Sequence, residues 1–148
     1  MSVVMDTEKI KEILPHRDPF LLVDEITQME LGKSVTGKKY IKKDEYWFKG
    51  HFPEHPVVPG VLIVEMLAQT GAVCVLSMPE NKGKLALLAK VDNARFKRQV
   101  LPEDEITLEV SMKRMRSNFG VGEATATVNG EVAASAEISF VIYDPENN

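Results

Sequence analysis

The longest apolar stretch of the chain runs from Val57 to Met78, and Glu65 is its only charged residue. Hydrophobic residues recur on nearly all sides of this stretch, which is typical of a helix buried on most of its faces. Proline residues on both flanks predict a helix from Val61 to about Met78. Small residues at helical spacing would let this helix lie close to a sheet: Ala68, Gly71, Ala72 and Val75.

The segment after this helix alternates between apolar and polar residues, which is the pattern of half-buried β-strands. The Asn129-Gly130 pair predicts a type I′ hairpin turn, because both positions tolerate a positive φ. The pattern predicts four strands: Leu85–Val91 with an extension toward Val100 left open, Ile106–Met112, Ala124–Val128 after a turn at Asn118–Gly122, and Glu131–Tyr143. The last strand would place one row of residues on a single face: Val132, Ala134, Ala136, Ile138, Phe140 and Ile142.

The segment before the long helix predicts a short helix, two strands and a helical turn. The elements are a helix at Glu8–Leu14 capped by Asp6 or Thr7, strands at Phe20–Met29 and Lys33–Ile41, and a turn of Tyr46, Trp47 and Phe48 capped by Asp44.

The order of these elements is one helix, two strands, a long buried helix and four strands. The simplest packing for this order is a central helix wrapped by a curved antiparallel sheet, an α+β fold. With 148 residues, the chain is expected to form a single domain, 1–148.

Composition and charge narrow the class of protein. The chain is 44% hydrophobic and 27% charged, as soluble globular proteins are, and its net charge of −4 argues against nucleic acid as a partner. Cys74 is the only cysteine, so no disulfide is expected and a reducing compartment, the cytoplasm, fits. The acidic N-terminal segment does not read as a secretory signal. A carboxylate inside the apolar stretch, without basic flanks, argues against membrane insertion.

Two titratable residues carry the candidate chemistry. His51 lies in an irregular, proline-rich segment, Gly50–Gly60, where a neutral imidazole could accept a proton. Glu65 is expected to be buried among apolar residues, which would raise its pKa and favour a protonated carboxyl that can donate. Gln69 shares the helix face with Glu65 and could orient it.

Gly60 supplies a third chemical element. At the start of the helix, its free N–H group and the helix dipole can stabilise a developing oxyanion, and glycine lets a substrate carbonyl approach closely. A base, an acid and an oxyanion donor together indicate proton abstraction next to a carbonyl with loss of a β-substituent, which is a dehydration.

Simpler interpretations of these residues stay open. His51 could be an ordinary hydrogen-bonded loop histidine, and Glu65 could be paired with a lysine or an arginine. A metal site at His51, Glu54 and His55 is not expected, because Pro53 and Pro56 prevent the helical spacing that such ligands use.

One set of residues resembles the signature of the β-hydroxyacyl-acyl carrier protein dehydratases of type II fatty acid synthesis. The set is Gly50-His51-Phe52-Pro53, Pro56, Pro59-Gly60, Glu65 and Ala68-Gln69. The segment Leu14-Pro15-His16-Arg17 with Pro19–Asp24 resembles the N-terminal motif of the same family. The similarity spans about Thr7 to Tyr143. Asp18 stands where the family has an aromatic residue, and Glu103 where a glycine usually follows the proline.

The resemblance implies a hot-dog fold in which His51 is the base and Glu65 the acid, meeting across a dimer interface. It implies that the Val57 carbonyl fixes the histidine tautomer and that the Gly60 N–H polarises the thioester. The family forms dimers, commonly three to a hexamer. It needs no metal or organic cofactor, since the acyl chain arrives on the phosphopantetheine arm of acyl carrier protein.

The resemblance leaves several details open. Glu65 favours a plain dehydratase over a bifunctional dehydratase/isomerase, and a hot-dog thioesterase or a non-catalytic acyl-binding module are the alternatives. Phe96 and Phe20 are candidates to line the acyl tunnel. A basic patch for the acidic carrier is expected among Arg95, Lys97 and Arg98, with Lys113, Arg114 and Arg116 as further candidates.

Overall fold

The secondary structure follows the predicted order of elements. The computed structural model describes residues 3–146, so the ends of the predicted 1–148 domain lie outside the described residues. The helices are α1 (Thr7–Ile13) and α2 (Gly60–Leu76), with short 3₁₀ turns at Tyr46–Lys49 and Pro79–Asn81. The strands are β1 (Glu25–Glu30), β2 (Ser34–Tyr40), β3 (Leu85–Phe96), β4 (Glu105–Arg116), β5 (Phe119–Val128) and β6 (Glu131–Tyr143).

All six strands form one antiparallel sheet in the order β1-β2-β4-β5-β6-β3, and α2 packs against it. Met66, Leu67 and Val73 of α2 are fully buried. The small residues of α2 permit this close approach, because a Cβ atom on Gly71 would lie only 3.3 Å from Val110 Cγ1. The predicted α+β hot-dog architecture is confirmed. No helix within residues 3–146 has both the length and the apolar character needed to cross a membrane.

The predicted start of the first strand is wrong. β1 begins at Glu25, and the preceding apolar residues are extended without being part of the sheet. Their backbone instead bonds to the helix: Gln69 Nε2 donates to Phe20 O and Leu22 N donates to Gln69 Oε1, both at 2.8 Å. A side chain from α2 therefore replaces a neighbouring strand as the hydrogen-bond partner of this segment.

The hairpin of β5 and β6 contains both a confirmed and a wrong prediction. Asn129 and Gly130 have φ values of 52° and 81°, as the type I′ turn requires. Val132, which was predicted to share a face with Ala134, is 37% exposed, whereas Ala133 and Ala134 are buried. The pairing explains this, because Thr127 faces Val132 while Ala126 faces Ala134, so Ala133 is an extra residue in a β-bulge.

Three further boundaries differ from the predictions. The 3₁₀ turn at Tyr46–Lys49 has Glu45 at its N-cap position without a side-chain hydrogen bond, so Asp44 does not cap it. β3 ends at Phe96 and does not continue to Val100. β5 begins at Phe119, because the turn before it lies at Ser117, which has a φ of 48°.

β3 lies at one edge of the sheet and exposes apolar side chains. Leu87, Leu88, Val91 and Phe96 are all at least 37% exposed, although β3 is one of the longer strands. A long apolar edge is open to pairing with another strand.

Two peptide bonds within residues 3–146 are cis, Asp18–Pro19 and His51–Phe52.

Glu103→Gly is expected to stabilise the fold. Glu103 has a φ of 73°, a region that costs an L-residue about 1–2 kcal/mol. Glycine avoids that cost but loses about 0.5–1 kcal/mol more entropy on folding. We expect the free energy of unfolding to rise by about 0.5–1 kcal/mol, measured by urea or thermal denaturation. Glu103→Ala is the control, because it also removes the exposed ion pair with Lys43 but keeps the positive φ. Equal stabilisation by both variants would contradict the explanation.

Candidate active site

His51 lies in the loop that leads into α2, and its neighbours fix the imidazole. Its Nδ1 atom is 2.9 Å from Val57 O, and Val57 N donates to His51 O at 3.0 Å. A carbonyl oxygen can only accept a hydrogen bond, so Nδ1 carries the proton. Nε2 of the neutral ring therefore keeps its lone pair, which is the form that a general base needs.

A cavity of about 430 Å³ opens beside His51. It brings His51 together with three of the predicted substrate-binding residues, Val57, Gly60 and Phe96. The Phe96 ring lies directly over Gly60, because a Cβ atom at position 60 would be 2.9 Å from Phe96 Cε1. The other lining residues are Val58, Ile63, Lys97, Arg98, Gln99 and Val100.

Gly60 is the first residue of α2, and within residues 3–146 its N–H group has no backbone acceptor. The first N–H groups of a helix are free of intrahelical partners, and the helix dipole adds partial positive charge there. A carbonyl oxygen bound in the cavity could therefore accept a hydrogen bond from this amide while negative charge develops on it.

Glu65 lies on another face of α2, in contact with Gln69. Gln69 Nε2 donates to Glu65 Oε2 at 2.8 Å, so the predicted contact between these two side chains is present. Gln69 is only 1% exposed, and its amide also bonds to the Phe20–Leu22 backbone described above. The amide is thus fixed by three hydrogen bonds and holds one oxygen of the carboxyl group.

The surroundings of Glu65 differ from the prediction of an isolated carboxyl group among apolar residues. Its side chain is 22% exposed, and His16 Nε2 lies 3.7 Å from its Oε2 atom. Burial lowers the pKa of His16, while the nearby Glu65 raises it and Arg17 lowers it further. The sequence had marked the proline-bounded loop that carries His16 as part of the N-terminal motif, but no chemical role had been predicted for His16. A second cavity, of about 40 Å³, is lined by His16, Glu65, Ala68, Gln69, Ala72, Ala86 and Leu88.

Within one chain, His51 and Glu65 line different cavities that share no lining residue. Glu65 follows Gly60 by five positions along α2, so the two positions lie about 140° apart around the helix axis. β3 separates the cavities further, because Phe96 lines the first and Leu88 the second. Eight positions along β3 separate Leu88 from Phe96. A single chain therefore does not bring the imidazole to the carboxyl group.

The remaining predicted residues are also divided between surfaces. Lys97 and Arg98 lie at the first cavity, whereas Arg95 lines a separate groove with Glu123 and Glu137. Arg98 is engaged by two carboxylates, Glu131 at 3.1 Å and Asp104 at 3.8 Å. Phe20 lines neither cavity; its ring stacks on His16 beside the second one, with ring centroids 6.4 Å apart. Two of the three basic residues therefore lie at the His51 cavity, and Arg95 lies in a different groove.

Comparisons with solved structures support the fold. One chain of the dehydratase heterocomplex ApeI:P from Xenorhabdus doucetiae superimposes with a TM-score of 0.77 at 17% identity, covering 92% of this chain and 90% of that one. A hypothetical thioesterase with coenzyme A from Streptococcus pneumoniae gives a TM-score of 0.62 at 13% identity, covering 81% and 85%. At such low identity, these similarities show the fold alone.

Sequence comparisons identify the family. The chain is 55% identical over 139 residues to the 3-hydroxyacyl-[acyl-carrier-protein] dehydratase FabZ of Oceanobacillus iheyensis, covering 94% of this chain and 99% of that protein. It is 54% identical over 141 residues to the protein of the same name from Bacillus cereus, covering 95% and 98%. The model of the FabA-like domain matches residues 14–137, and the chain belongs to this family.

Proposed function

We propose that the protein is a 3-hydroxyacyl-[acyl carrier protein] dehydratase of fatty acid synthesis. It removes water from (3R)-hydroxyacyl thioesters to give trans-2-enoyl thioesters. The observation that carries the proposal is the His51 imidazole, whose Nδ1–H is held by Val57 O so that Nε2 is free beside the cavity and Gly60. High identity to dehydratases over nearly the whole chain supports the same reaction.

Each proposed site residue has one role in the reaction. His51 Nε2 takes the proton from C2 of the substrate, and the electron pair of that bond forms the C2–C3 double bond. The Gly60 N–H group stabilises the negative charge on the thioester oxygen. Glu65 gives its proton to the departing 3-hydroxyl group, which leaves as water when the C3–O bond breaks. The His51 imidazolium then gives its proton to solvent and Glu65 takes one from solvent, which restores both residues.

In the proposed dimer, the base of one subunit lies next to the acid of the other. The exposed apolar edge of β3 is suited to antiparallel pairing with β3 of a second chain about a two-fold axis. Pairing centred near Asp92, halfway between Leu88 and Phe96, would bring the second cavity of one subunit beside the first cavity of the other. His51 would then face Glu65 of the partner subunit. Assembly of three dimers into a hexamer is expected from the family resemblance.

The proposed carrier partner is acidic and delivers the acyl chain on its phosphopantetheine arm. Lys97 borders the His51 cavity and makes no ion pair with a residue in the described part of the chain, so its charge is free to attract the carrier. Arg98 is partly neutralised by its carboxylate partners, and Arg95 lies on another groove. We therefore assign more of the docking to Lys97 than to Arg95.

The lone buried cysteine and the family resemblance support a cytoplasmic location.

The proposed reaction can be followed in the direction of hydration. We expect the purified protein to decrease the absorbance of a crotonyl thioester in the enoyl-thioester band, because water adds across the conjugated double bond. A colorimetric thiol assay on the same samples should detect no free thiol. Thiol release at the rate of the absorbance change would instead indicate a thioesterase and contradict the dehydratase proposal. Binding of acyl carrier protein without any turnover would indicate a non-catalytic acyl-binding module.

A further inference from the structure

The second cavity contains a titratable side chain that the proposed reaction does not yet use. His16 follows α1, and its Nε2 atom faces Glu65 Oε2 across 3.7 Å. Its side chain is 25% exposed, so solvent has limited access to the ring. Because Glu65 is the proposed proton donor, a neighbouring group that can donate or accept a proton can affect where that proton sits.

The loop that carries His16 is held from several directions. Arg17 Nη1 donates to Leu14 O at 2.9 Å and to His16 O at 2.7 Å, which ties the loop to the end of α1. Phe20 stacks on the imidazole with an angle of 18° between the ring planes. Gln69 in turn holds the Phe20 carbonyl. The imidazole is therefore oriented by the fold rather than by Glu65 alone.

The tautomer of His16 follows from the surroundings of its Nδ1 atom. Nδ1 is buried and has no hydrogen-bond partner among residues 3–146. A buried N–H group without an acceptor is more costly than an acceptor without a donor, so Nδ1 is the bare nitrogen and Nε2 carries the proton. Burial lowers the pKa of His16 and favours this neutral form. The Nε2–H group then points toward Glu65 Oε2.

The charged groups that act on His16 come from two elements. Glu65 of α2 favours the imidazolium form, and Arg17 of the same loop opposes it. β3 contributes only Ala86 and Leu88 to the cavity wall. No second carboxylate lines this cavity in the described part of the chain.

These contacts distinguish the two oxygens of Glu65. Oε2 accepts a hydrogen bond from Gln69 Nε2 and faces the Nε2–H of His16, whereas Oε1 has no hydrogen bond within residues 3–146. An oxygen that accepts one hydrogen bond and faces a second donor is favoured as the carbonyl oxygen of a protonated carboxyl group. The acidic proton therefore belongs on Oε1.

We propose that His16 is a positioning residue which, together with Gln69, holds Oε2 of Glu65 so that Oε1 carries the proton toward the substrate hydroxyl group. This inference rests on the proposed function, in which Glu65 is the acid. The separation of 3.7 Å shortens to a hydrogen bond in the substrate complex, as catalytic contacts commonly do.

His16→Leu removes the donor and leaves Gln69 alone on Oε2. The proton can then sit on either oxygen, so the carboxyl group no longer presents it consistently to the substrate hydroxyl group. We expect kcat to fall about 10-fold with KM within about twofold of the wild-type value.

His16→Gln is the matched variant, because the amide nitrogen of glutamine can replace the imidazole Nε2–H but does not titrate. It should restore kcat to within about threefold of wild type. Thermal denaturation of both variants monitors folding. An equal fall in kcat in His16→Leu and His16→Gln, with both variants folded, would show that a donor at position 16 does not position Glu65 and would overturn the inference.

A double substitution separates this inference from the proposed function. His16→Leu added to Glu65→Gln should cause no further loss of activity, because His16 acts only through Glu65. A further loss would overturn the positioning role while leaving the acid role of Glu65 intact. Full activity in Glu65→Gln alone would instead refute the proposed function, and the role of His16 with it.

Discussion

Glu65→Gln and His51→Ala are each expected to lower kcat about 10³-fold, because each removes one of the two proton transfers, and such steps contribute 10²–10⁴-fold. Glutamine keeps the shape of Glu65 and can still accept the hydrogen bond of Gln69, so the loss would come from chemistry and not from the fold. The rate of (3R)-hydroxyacyl thioester dehydration, measured at saturating substrate, checks the prediction.

Controls make this result specific. Glu54→Gln changes an exposed carboxylate in the same proline-rich loop and should retain wild-type activity. The double variant should lose little more than either single variant, since the two residues act as one unit. Wild-type rates in both single variants would exclude the acid–base pair, whatever the assembly of the protein.

Elements determined by local signals were predictable from the sequence. β6 spans Glu131–Tyr143 as predicted, because alternation and the Asn129-Gly130 turn define it without knowledge of its neighbours. α2 was predicted to within two residues at each end, because prolines flank it and its interior is continuously apolar. Such signals depend on the spacing of apolar residues and on the allowed φ values, which are properties of short segments.

Features that depend on tertiary partners were not predictable. The extended segment before β1 satisfies its backbone through Gln69, a residue 47 positions from Leu22 in the chain. Ala133 replaces Val132 on the buried face because of a bulge that only the pairing of β5 with β6 defines. Glu103 stands where the family usually has a glycine, and its positive φ of 73° was not predicted from the sequence.

The candidate site was predictable in its residue types but not in its arrangement. Motif spacing alone led to His51, Gly60 and Glu65, and the structure groups His51 with Gly60. The family resemblance implied that His51 and Glu65 meet across a dimer interface. The residues alone gave no sign that Glu65 faces a different cavity from His51, which follows from helical rotation. His16 was not predicted to be a neighbour of Glu65, because the two residues are far apart in the sequence. The fold of the loop after α1 brings them together.

Mixed oligomers of two inactive variants are expected to regain activity. In a dimer of one His51→Ala subunit and one Glu65→Gln subunit, one site lacks both groups and the other has both. Random exchange of equal amounts gives one half mixed dimers, each with one complete site of two, so about a quarter of wild-type activity should return. The measurement is the dehydration rate after subunit exchange, compared with each variant treated alone.

The matched control replaces the Glu65→Gln subunit with the doubly substituted subunit, His51→Ala with Glu65→Gln. No site in this mixture has an imidazole at position 51, so activity should stay at the level of the single variants. Size-exclusion chromatography with differently tagged subunits would verify that mixed oligomers form. If they form without regaining activity, base and acid do not come from different subunits. The two cavities of one chain, which share no lining residue, would then need another explanation for how both groups reach one substrate.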